Sequence, residues 1–314
     1  IFARNATEAG DLALIARRAA ENSDTPFFSV QDGFLTTHTI ENILQCEPKL
    51  MKEFAGDPAD KLRNMMDPFN PIMSGIVQNQ DSYMKGKIAQ RHFIETVKPA
   101  LIESMKTFSE LTGRNYSLVD RYQMDDAEYA IIGIGSMFET TTTVVDQLRA
   151  AGQKVGCVHI TCFRPFPGPE IVEAIGNCKS VAVLERMDDP LSQSNPLTME
   201  IKAALTDAMQ GVEGYPSIST MPIVHSGSYG LGSRDVTSGD LSAVYGLMAS
   251  GAKPSYFSLG IKHETALAPS AGLDGRPAGA FSMRGHSVGG FGSVTTNKVI
   301  ATISEDLFGK TVQA

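Results

Sequence analysis

Residues 128–160 read EYAIIGIGSMFETTTTVVDQLRAAGQKVGCVHI, and this stretch decides the fold. Glu128–Ile134 is largely apolar and of strand length, and a Gly-Ser pair supplies a turn after it. Glu139–Ala151 has helical spacing and ends before a glycine, and Val155–Ile160 is a second apolar strand. Apolar strands joined by a helix are typical of a parallel pair buried on both faces. The stretch therefore predicts an α/β fold of wound units around a parallel sheet.

The same pattern continues downstream, with helical and strand-like segments in alternation. A Pro/Asp/Ser-rich loop at 187–196 separates two of these units, and 211–233 is predicted to be loop with short strands. The remaining predicted elements are helices at Pro169–Ile175, 197–209 and Asp240–Ser250 and a strand at Ser180–Leu184.

The first 120 residues give a less regular pattern. A helix is predicted over Glu8–Glu21, and a loop over 55–80 where Pro, Gly, Asn and Asp are frequent. The other predictions are a buried strand at Phe27–Val30 ending at Asp32-Gly33, a helix that starts at Thr36–Thr39 and continues through Ile40–Leu44, and one or two helices within 82–113 that break at Pro99 and stop at Gly113.

Residues 284–298, RGHSVGGFGSVTTNK, carry the strongest functional signal. Gly289, Gly290 and Gly292 allow a tight turn and a close approach of the backbone to a ligand. A short strand is predicted before them at Ala280–Met283, and a helix after them at Val294–Leu307. A strand, a glycine turn and a helix N-terminus together predict an anion cradle of backbone N–H groups.

Polar side chains in the same loop favour phosphate as the anion. Hydroxyls come from Ser293, Thr295 and Thr296, and Lys298 adds a compact positive charge. Among six scattered histidines, His286 is the one predicted to touch a ligand. The alternative is a glycine loop that only turns a corner.

Composition excludes several classes of protein. The chain has 314 residues, 42% apolar and 20% charged, which are ordinary values for about two globular domains. A net charge of −8 without a basic stripe argues against nucleic acid as a partner. No apolar stretch approaches the roughly 20 residues of a membrane span, and no signal-peptide pattern is present. The four cysteines form no Cys-x-x-Cys pair, so we expect buried thiols and a reducing cytoplasm.

Three further motifs have structural interpretations that compete with functional ones. Gly133-Ile134-Gly135 follows a strand, but it lacks the third glycine and the acidic residue of a dinucleotide fold. Arg164, between aromatics and prolines, is either an anion ligand or, as we favour, a strut between domains. The Glu185, Arg186, Asp188 and Asp189 cluster is either catalytic or, as we favour, a solvated loop pairing with itself.

The two ends of the chain carry an expectation of their own. Ile1 stands inside a helical run with no initiator methionine, and Ala314 follows directly on the strand–loop–helix unit. We expect both ends to interrupt a longer protein.

Stretches along the whole sequence resemble the pyruvate:ferredoxin (flavodoxin) oxidoreductase family, and they occur in the same order. They are Asp11–Ala16, Pro26–Phe28, Asp32–Phe34 with Thr37-His38, Gln78–Tyr83, Leu111–Tyr116, Gly135-Ser136 with Glu139-Thr140, Arg164–Phe166 and Tyr229–Asp235. The resemblance implies three regions: the end of a pyrimidine-binding-type thiamine domain (1–120), a transketolase C-terminal-like domain (121–260) and the start of a coenzyme A-binding, gamma-type domain (261–314).

The resemblance also implies a ligand for the glycine loop. The family's coenzyme A loop reads Gly-Ser-Asp-Gly-Thr followed by Val-Gly-Ala-Asn-Lys, and the final Asn-Lys matches Asn297-Lys298. Phe291 stands where the family has an acidic residue, and the Gly-Gly-x-Gly form is more similar to separate gamma subunits. The implied coenzyme A residues are Gly289, Gly290, Phe291, Gly292, Ser293 and Lys298.

For the parent protein the resemblance implies conversion of pyruvate and coenzyme A to acetyl-CoA and CO2, with electrons passed to ferredoxin or flavodoxin. Thiamine diphosphate, Mg²⁺ and 4Fe–4S clusters are expected in parts outside this chain, which alone should be inactive. The expected partners are the remaining domains or subunits in a cytoplasmic homodimer. Two alternatives stay open: a structural platform in a pyruvate:NADP or sulfite reductase-type flavoprotein, and a free-standing nucleotide-binding module.

Overall fold

The computed structural model describes residues 1–38, 41–61, 66–73, 75–271, 274, 279–280, 283 and 288–309. In these ranges the helices are α1 (Ala6–Ser23), α2 (Pro48–Ala55), α3 (Tyr83–Thr112), α4 (Met137–Ala150), α5 (Gly168–Ile175), α6 (Pro196–Gln210), α7 (Ser238–Ser250) and α8 (Ser293–Phe308). The strands are β1 (Val119–Tyr122), β2 (Tyr129–Gly133), β3 (Val155–Ile160), β4 (Ser180–Glu185), β5 (Ile223–Ser228) and β6 (Phe257–Ser258), and short 3-10 turns lie at Pro58–Asp60 and Leu231–Ser233.

One six-stranded sheet organises the molecule, in the order β1-β3-β2-β4-β5-β6. β1 pairs antiparallel with β3 at one edge, and every other pairing is parallel. Because parallel strands need crossover connections, helices cover both faces of such a sheet. The predicted doubly covered α/β architecture is confirmed.

Alternate side chains of each central strand enter different cores, as the period of two requires. Ile132 and Val158 join a core with α1, α3, α5 and α6. Ile131 and Cys157, their chain neighbours, join a second core with α4 and α7. This division explains why β2, β3 and β4 are apolar along their whole length and buried at nearly every position.

The helices α1 and α3 pack against each other and onto the first of these cores. Asn5 caps α1 by accepting a hydrogen bond from the backbone N–H of Glu8 at 3.0 Å. Gly113 ends α3 in the left-handed conformation (φ 72°), as predicted. The predicted break at Pro99 is wrong, because α3 continues through it. Pro99 and Glu95, whose carbonyl loses its helical donor, are both exposed, so water can satisfy that carbonyl.

The segment between α1 and α2 departs furthest from the sequence expectation. Phe27–Val30 is no buried strand: Phe28 is 86% exposed, and Val30 forms a single isolated bridge with Phe2. The predicted helix is also wrong over 41–44, which is irregular, while residues 39–40 lie outside the described ranges. These segments are apolar, but residues 1–3 offer Val30 only a bridge and no full neighbouring strand.

Elsewhere the predictions need smaller corrections. The loop at 55–80 is confirmed where it is described, although α2 immediately before it was missed. The segment at 211–233 contains a full central strand, β5, where only short strands were expected. The predicted strand Ala280–Met283 lies partly outside the described residues, and Ala280 and Met283 themselves are not in a strand.

The four cysteines are buried free thiols, as expected. Burial raises the pKa of the Cys162 thiol to about 11 and that of Cys178 to about 12. Across the described parts of the chain, no helix has both the length and the hydropathy needed to cross a membrane.

Candidate functional site

The predicted phosphate loop forms a tight turn that leads directly into α8. The N–H of Phe291 donates to the carbonyl of Val288 at 3.2 Å, which closes the turn over Gly289 and Gly290. Gly290 (φ 88°) and Gly292 (φ 83°) adopt the left-handed conformation, which an L side chain rarely does. A Cβ built at Gly289, Gly290 or Gly292 would meet no atom of the described residues within 4 Å. The described part of the chain therefore leaves the backbone of the turn accessible.

The first turn of α8 presents uncapped amides beside this loop. Gly292 is the N-cap, and no side chain caps the helix. The first helical hydrogen bond runs from the N–H of Thr296 to the carbonyl of Gly292 at 2.9 Å. The amides of Ser293, Val294 and Thr295 precede it, so they can donate to an anion at the positive end of the helix dipole.

Lys298 lies one turn further along α8, three residues after Thr295 and so on the same face. Its side chain is half-buried, and helical side chains lean toward the N-terminus, which brings the ammonium group toward the first turn. Phe291 is 81% exposed beside the turn. All six predicted loop residues thus belong to one turn and one helix start, whereas His286 and most of the preceding strand lie outside the described residues.

A second polar cluster lies at the carboxyl edge of the sheet, and sequence reasoning did not find it. One oxygen of Asp32 accepts the N–H of Ser136 at 2.7 Å, just after β2, and Arg186 Nη2 lies 3.6 Å from the same oxygen. The guanidinium of Arg186 covers the ring of Tyr229, just after β5, at 5.4 Å. The Asp32 carboxylate therefore occupies the edge where open α/β sheets collect ligands.

His159 completes this cluster from the end of β3. Its Nε2 accepts the N–H of Gly135 at 3.1 Å, so the neutral ring carries its proton on Nδ1, 3.3 Å from Thr161 Oγ1. Burial, followed by the charge of Arg4, lowers the pKa of His159 to about 3. Its role is to hold the Gly135 turn, and the Gly133-Ile134-Gly135 motif is packed by side chains of this chain.

The Glu185 cluster serves helix α6. Glu185 is only 8% exposed, which overturns the solvated-loop interpretation at that residue. Its carboxylate accepts the N–H groups of Leu197 and Thr198 and the hydroxyl of Thr198, at 2.8–3.0 Å. Burial raises the pKa of Glu185, and these hydrogen bonds oppose that effect. The first turn of α6 is thus capped by the preceding strand.

Arg164 also has partners within the chain. Its Nη2 lies 2.6 Å from Glu200 in α6, and its guanidinium stacks on Phe163 at 4.2 Å. It therefore ties the loop after β3 to α6, so Arg164 is a strut within one predicted domain and these contacts do not join two domains. Among the described residues, no cluster of His, Cys, Asp or Glu is arranged to hold a metal ion.

The sequence analysis did not predict the Asp32 cluster, and the reason is simple. Asp32 and Ser136 are 104 residues apart, and no periodicity connects them. A glycine after a parallel strand marks a turn whose N–H groups can donate, but nothing in the sequence identifies which carboxylate will accept from them.

Known protein families match the chain in two successive parts. Residues 1–106 match the family described as pyruvate flavodoxin/ferredoxin oxidoreductase, thiamine diP-bdg. Residues 127–221 match the family described as pyruvate:ferredoxin oxidoreductase core domain II.

Curated relatives agree with these matches. The chain is 34% identical to pyruvate synthase subunit PorA of Thermotoga maritima, over 75% of this chain and 58% of that protein. It is 33% identical to the probable pyruvate-flavodoxin oxidoreductase of Escherichia coli K12, over 83% of this chain and 22% of that protein. It is 29% identical to the pyruvate:ferredoxin oxidoreductase of Moorella thermoacetica, over 93% of this chain and 24% of that protein.

The chain thus spans between about a fifth and three fifths of the length of these relatives. Among solved structures, a 2-oxoglutarate:ferredoxin oxidoreductase from Magnetococcus marinus aligns with 47% of this chain and 21% of its own, at 17% identity and a TM-score of 0.28. Two successive domain matches and the identity to these relatives place the chain in the pyruvate:ferredoxin (flavodoxin) oxidoreductase family.

Proposed function

We propose that the chain is part of an enzyme that converts pyruvate and coenzyme A to acetyl-CoA and CO2 and passes two electrons to ferredoxin or flavodoxin. The names of the relatives support the reaction, and the description of the family matched by residues 1–106 supports thiamine diphosphate as a cofactor. Thiamine diphosphate, when bound, stabilises the negative charge left on the substrate as CO2 leaves.

The observation that carries this chain's own part is the uncapped start of α8 behind a glycine turn. We assign Gly289, Gly290, Phe291, Gly292, Ser293 and Lys298 to one wall of the coenzyme A site. The amides of the first helical turn would hold a phosphate oxygen, and Lys298 would add charge. The space around the three glycines fits a bulky diphosphate, since no atom of the described residues lies within 4 Å of the position a Cβ would take.

The rest of the chain is scaffold in this proposal. We assign 1–120 to the end of the thiamine-type domain, 121–260 to the transketolase C-terminal-like domain and 261–314 to the coenzyme A-binding domain. We assign the 4Fe–4S clusters and Mg²⁺ to other parts of the enzyme, since the four cysteines are buried free thiols and the described residues contain no His, Cys, Asp or Glu cluster suited to a metal ion. A cytoplasmic homodimer completes the proposal.

The test is an assay of the enzyme containing this chain, purified without oxygen. Reduction of a viologen dye should require pyruvate and coenzyme A together. Lys298→Ala should raise the KM for coenzyme A about tenfold while kcat changes little, because the lysine contributes to binding. The matched control is Lys253→Ala, an exposed lysine after α7.

Negative results would also be informative. An unchanged KM for coenzyme A in the Lys298 variant would contradict the assignment of the α8 loop to the coenzyme A site. No activity with thiamine and clusters bound would point to another 2-oxoacid, and no activity with neither bound would favour the structural platform.

A further inference from the structure

A groove of about 610 Å³ lies at the carboxyl edge of the sheet, apart from the α8 loop. Its walls are the turn after β5, the turn after β6 and the start of α7, represented by Arg234, Lys262 and Thr237. Ligands of open parallel sheets bind at this edge, and the volume is typical of a site for a small organic molecule.

The backbone of the first wall is held in a rarely occupied conformation. Gly230 (φ 66°), Gly232 (φ 65°) and Ser233 (φ 60°) are left-handed within four residues. Ser233 has a side chain, so its left-handed conformation is uncommon and costs free energy. The next residue, Arg234, is thereby aimed at the groove, and its Nε donates to the carbonyl of Gly260 in the second wall. One bond thus ties the two turns together.

The positive charges of the groove are available to a ligand. Neither Arg234 nor Lys262 forms an ion pair within the described parts of the chain, and the terminal Nη groups of Arg234 form no hydrogen bond there. The buried Asp240 is committed, since it closes the capping box of α7 with Thr237. Asp235 contributes one opposing charge to the lining. A planar guanidinium beside an ammonium group favours phosphate oxygens.

The remaining lining is apolar. Leu267 packs against the core between the sheet, α4 and α7, and Pro269 and Ile261 lie beside it. An organic group can rest on such a surface while its phosphates reach the cations. We infer that this groove binds a phosphate-bearing organic molecule of nucleoside diphosphate size, with Arg234 and Lys262 as phosphate ligands. This second anion site goes beyond the coenzyme A loop proposed above.

The test is calorimetric titration of the full chain with ADP, and separately with pyrophosphate and adenosine. ADP should bind most tightly, because it alone engages both the cations and the apolar surface. The variant Arg234→Gln/Lys262→Gln should weaken ADP binding at least about tenfold, as expected for loss of charge-assisted hydrogen bonds. Because Arg234 also bonds Gly260, the single variant Lys262→Gln, with its exposed side chain, serves as the check free of folding effects.

The α8 loop provides the control site. Because ADP carries the diphosphate that the α8 loop is proposed to hold, the titrations are repeated in the Lys298→Ala background, where ADP binding to the groove should remain. ADP binding that Lys298→Ala abolishes and the groove variants preserve would overturn the inference, as would binding that neither change affects. Titration of the same variants with coenzyme A tests the α8 loop independently, so failure of one assignment is distinguishable from failure of the other.

Discussion

The carboxylate of Asp32 lies 2.7 Å from the backbone nitrogen of Ser136 and accepts its hydrogen bond. The contact joins the irregular segment after α1 to the turn between β2 and α4. Arg186, just after β4, lies 3.6 Å from the same carboxylate oxygen. One side chain from the N-terminal region thus fastens that region to the carboxyl edge of the sheet.

Replacement of Asp32 by alanine should lower the free energy of unfolding by about 1–3 kcal/mol, because a partly buried N–H group loses its acceptor. Urea denaturation measures the change. Asp188→Ala is the matched control: this aspartate is exposed near the same edge, and its replacement should stay within about 0.5 kcal/mol of the parent. Equal losses in the two variants would contradict the fastening role.

Gly135 should tolerate alanine worse than another left-handed glycine does. Gly135 (φ 85°) and Gly152 (φ 82°) have nearly the same backbone conformation. A Cβ at Gly135 would lie 2.8 Å from the Asp32 carboxylate, whereas one at Gly152 would meet nothing within 4 Å. Both variants carry the left-handed strain of about 1–2 kcal/mol, and Gly135→Ala adds the clash. In denaturant unfolding, the double variant with Asp32→Ala should be less destabilised than the sum of the two single variants.

The sequence predicted the sheet far better than the segment that covers its edge. Helices and strands from 129 to 210 lie within about two residues of prediction, because strands buried on both faces are apolar throughout. The buried strand predicted at Phe27–Val30 is wrong because an apolar side chain such as Phe28 need not be buried. The 86% exposure of Phe28 depends on which elements are neighbours in space, and local pattern does not contain that information.

The α8 loop and the Asp32 cluster also differ in how well the sequence predicts them. The α8 loop was predictable, since its glycine turn and helix start are local features within ten residues. The Asp32 cluster assembles from four distant parts of the chain, represented by Asp32, Ser136, His159 and Arg186. Their contact is a product of the strand order, which the sequence alone did not specify.

Arg114 should be far more important for stability than an arginine in an exposed ion pair. Its Nε and Nη2 bind both oxygens of the buried Asp11 at 2.6 and 2.7 Å. Tyr116 donates to the same carboxylate, and burial followed by this bond raises the pKa of Tyr116. Arg114→Gln leaves a buried carboxylate short of partners and should cost about 3–5 kcal/mol in urea denaturation.

The control for Arg114 is Arg121→Gln, which breaks an exposed ion pair between β1 and Glu173 in α5. That variant should cost at most about 1 kcal/mol. A similar loss in both variants would mean that Asp11 finds other partners when Arg114 is removed.

His159 should make the fold sensitive to acid. Its pKa is lowered to about 3 in the folded state, against an ordinary value near 6.5 in the unfolded chain. Between these values the unfolded state binds the extra proton, so stability is full above about pH 6.5 and falls as the pH decreases. The loss approaches about 1.4 kcal/mol per pH unit.

Denaturant unfolding of the parent and of His159→Asn at pH 8, 6 and 5 separates this effect from packing. At pH 8 the variant shows only the cost of the lost contacts. Between pH 6 and 5 its stability should fall less steeply than that of the parent. Parallel curves for the two proteins would show that His159 accepts no proton on unfolding in this range.

If the α8 loop binds coenzyme A, alanine should affect coenzyme A binding differently at the two ends of α8. Gly292 begins the helix at φ 83° and Gly309 ends it at φ 56°, so alanine introduces comparable left-handed strain at both positions. Among the described helix residues only Ala301 is fully buried, so the strain at Gly292 can be relieved by unwinding the first turn, which removes the amides proposed to hold phosphate. Calorimetry should show coenzyme A binding weakened about tenfold in Gly292→Ala, equivalent to about 1.4 kcal/mol, and unchanged in Gly309→Ala. Equal affinities for coenzyme A in the two variants would show that the start of α8 is not part of the coenzyme A site.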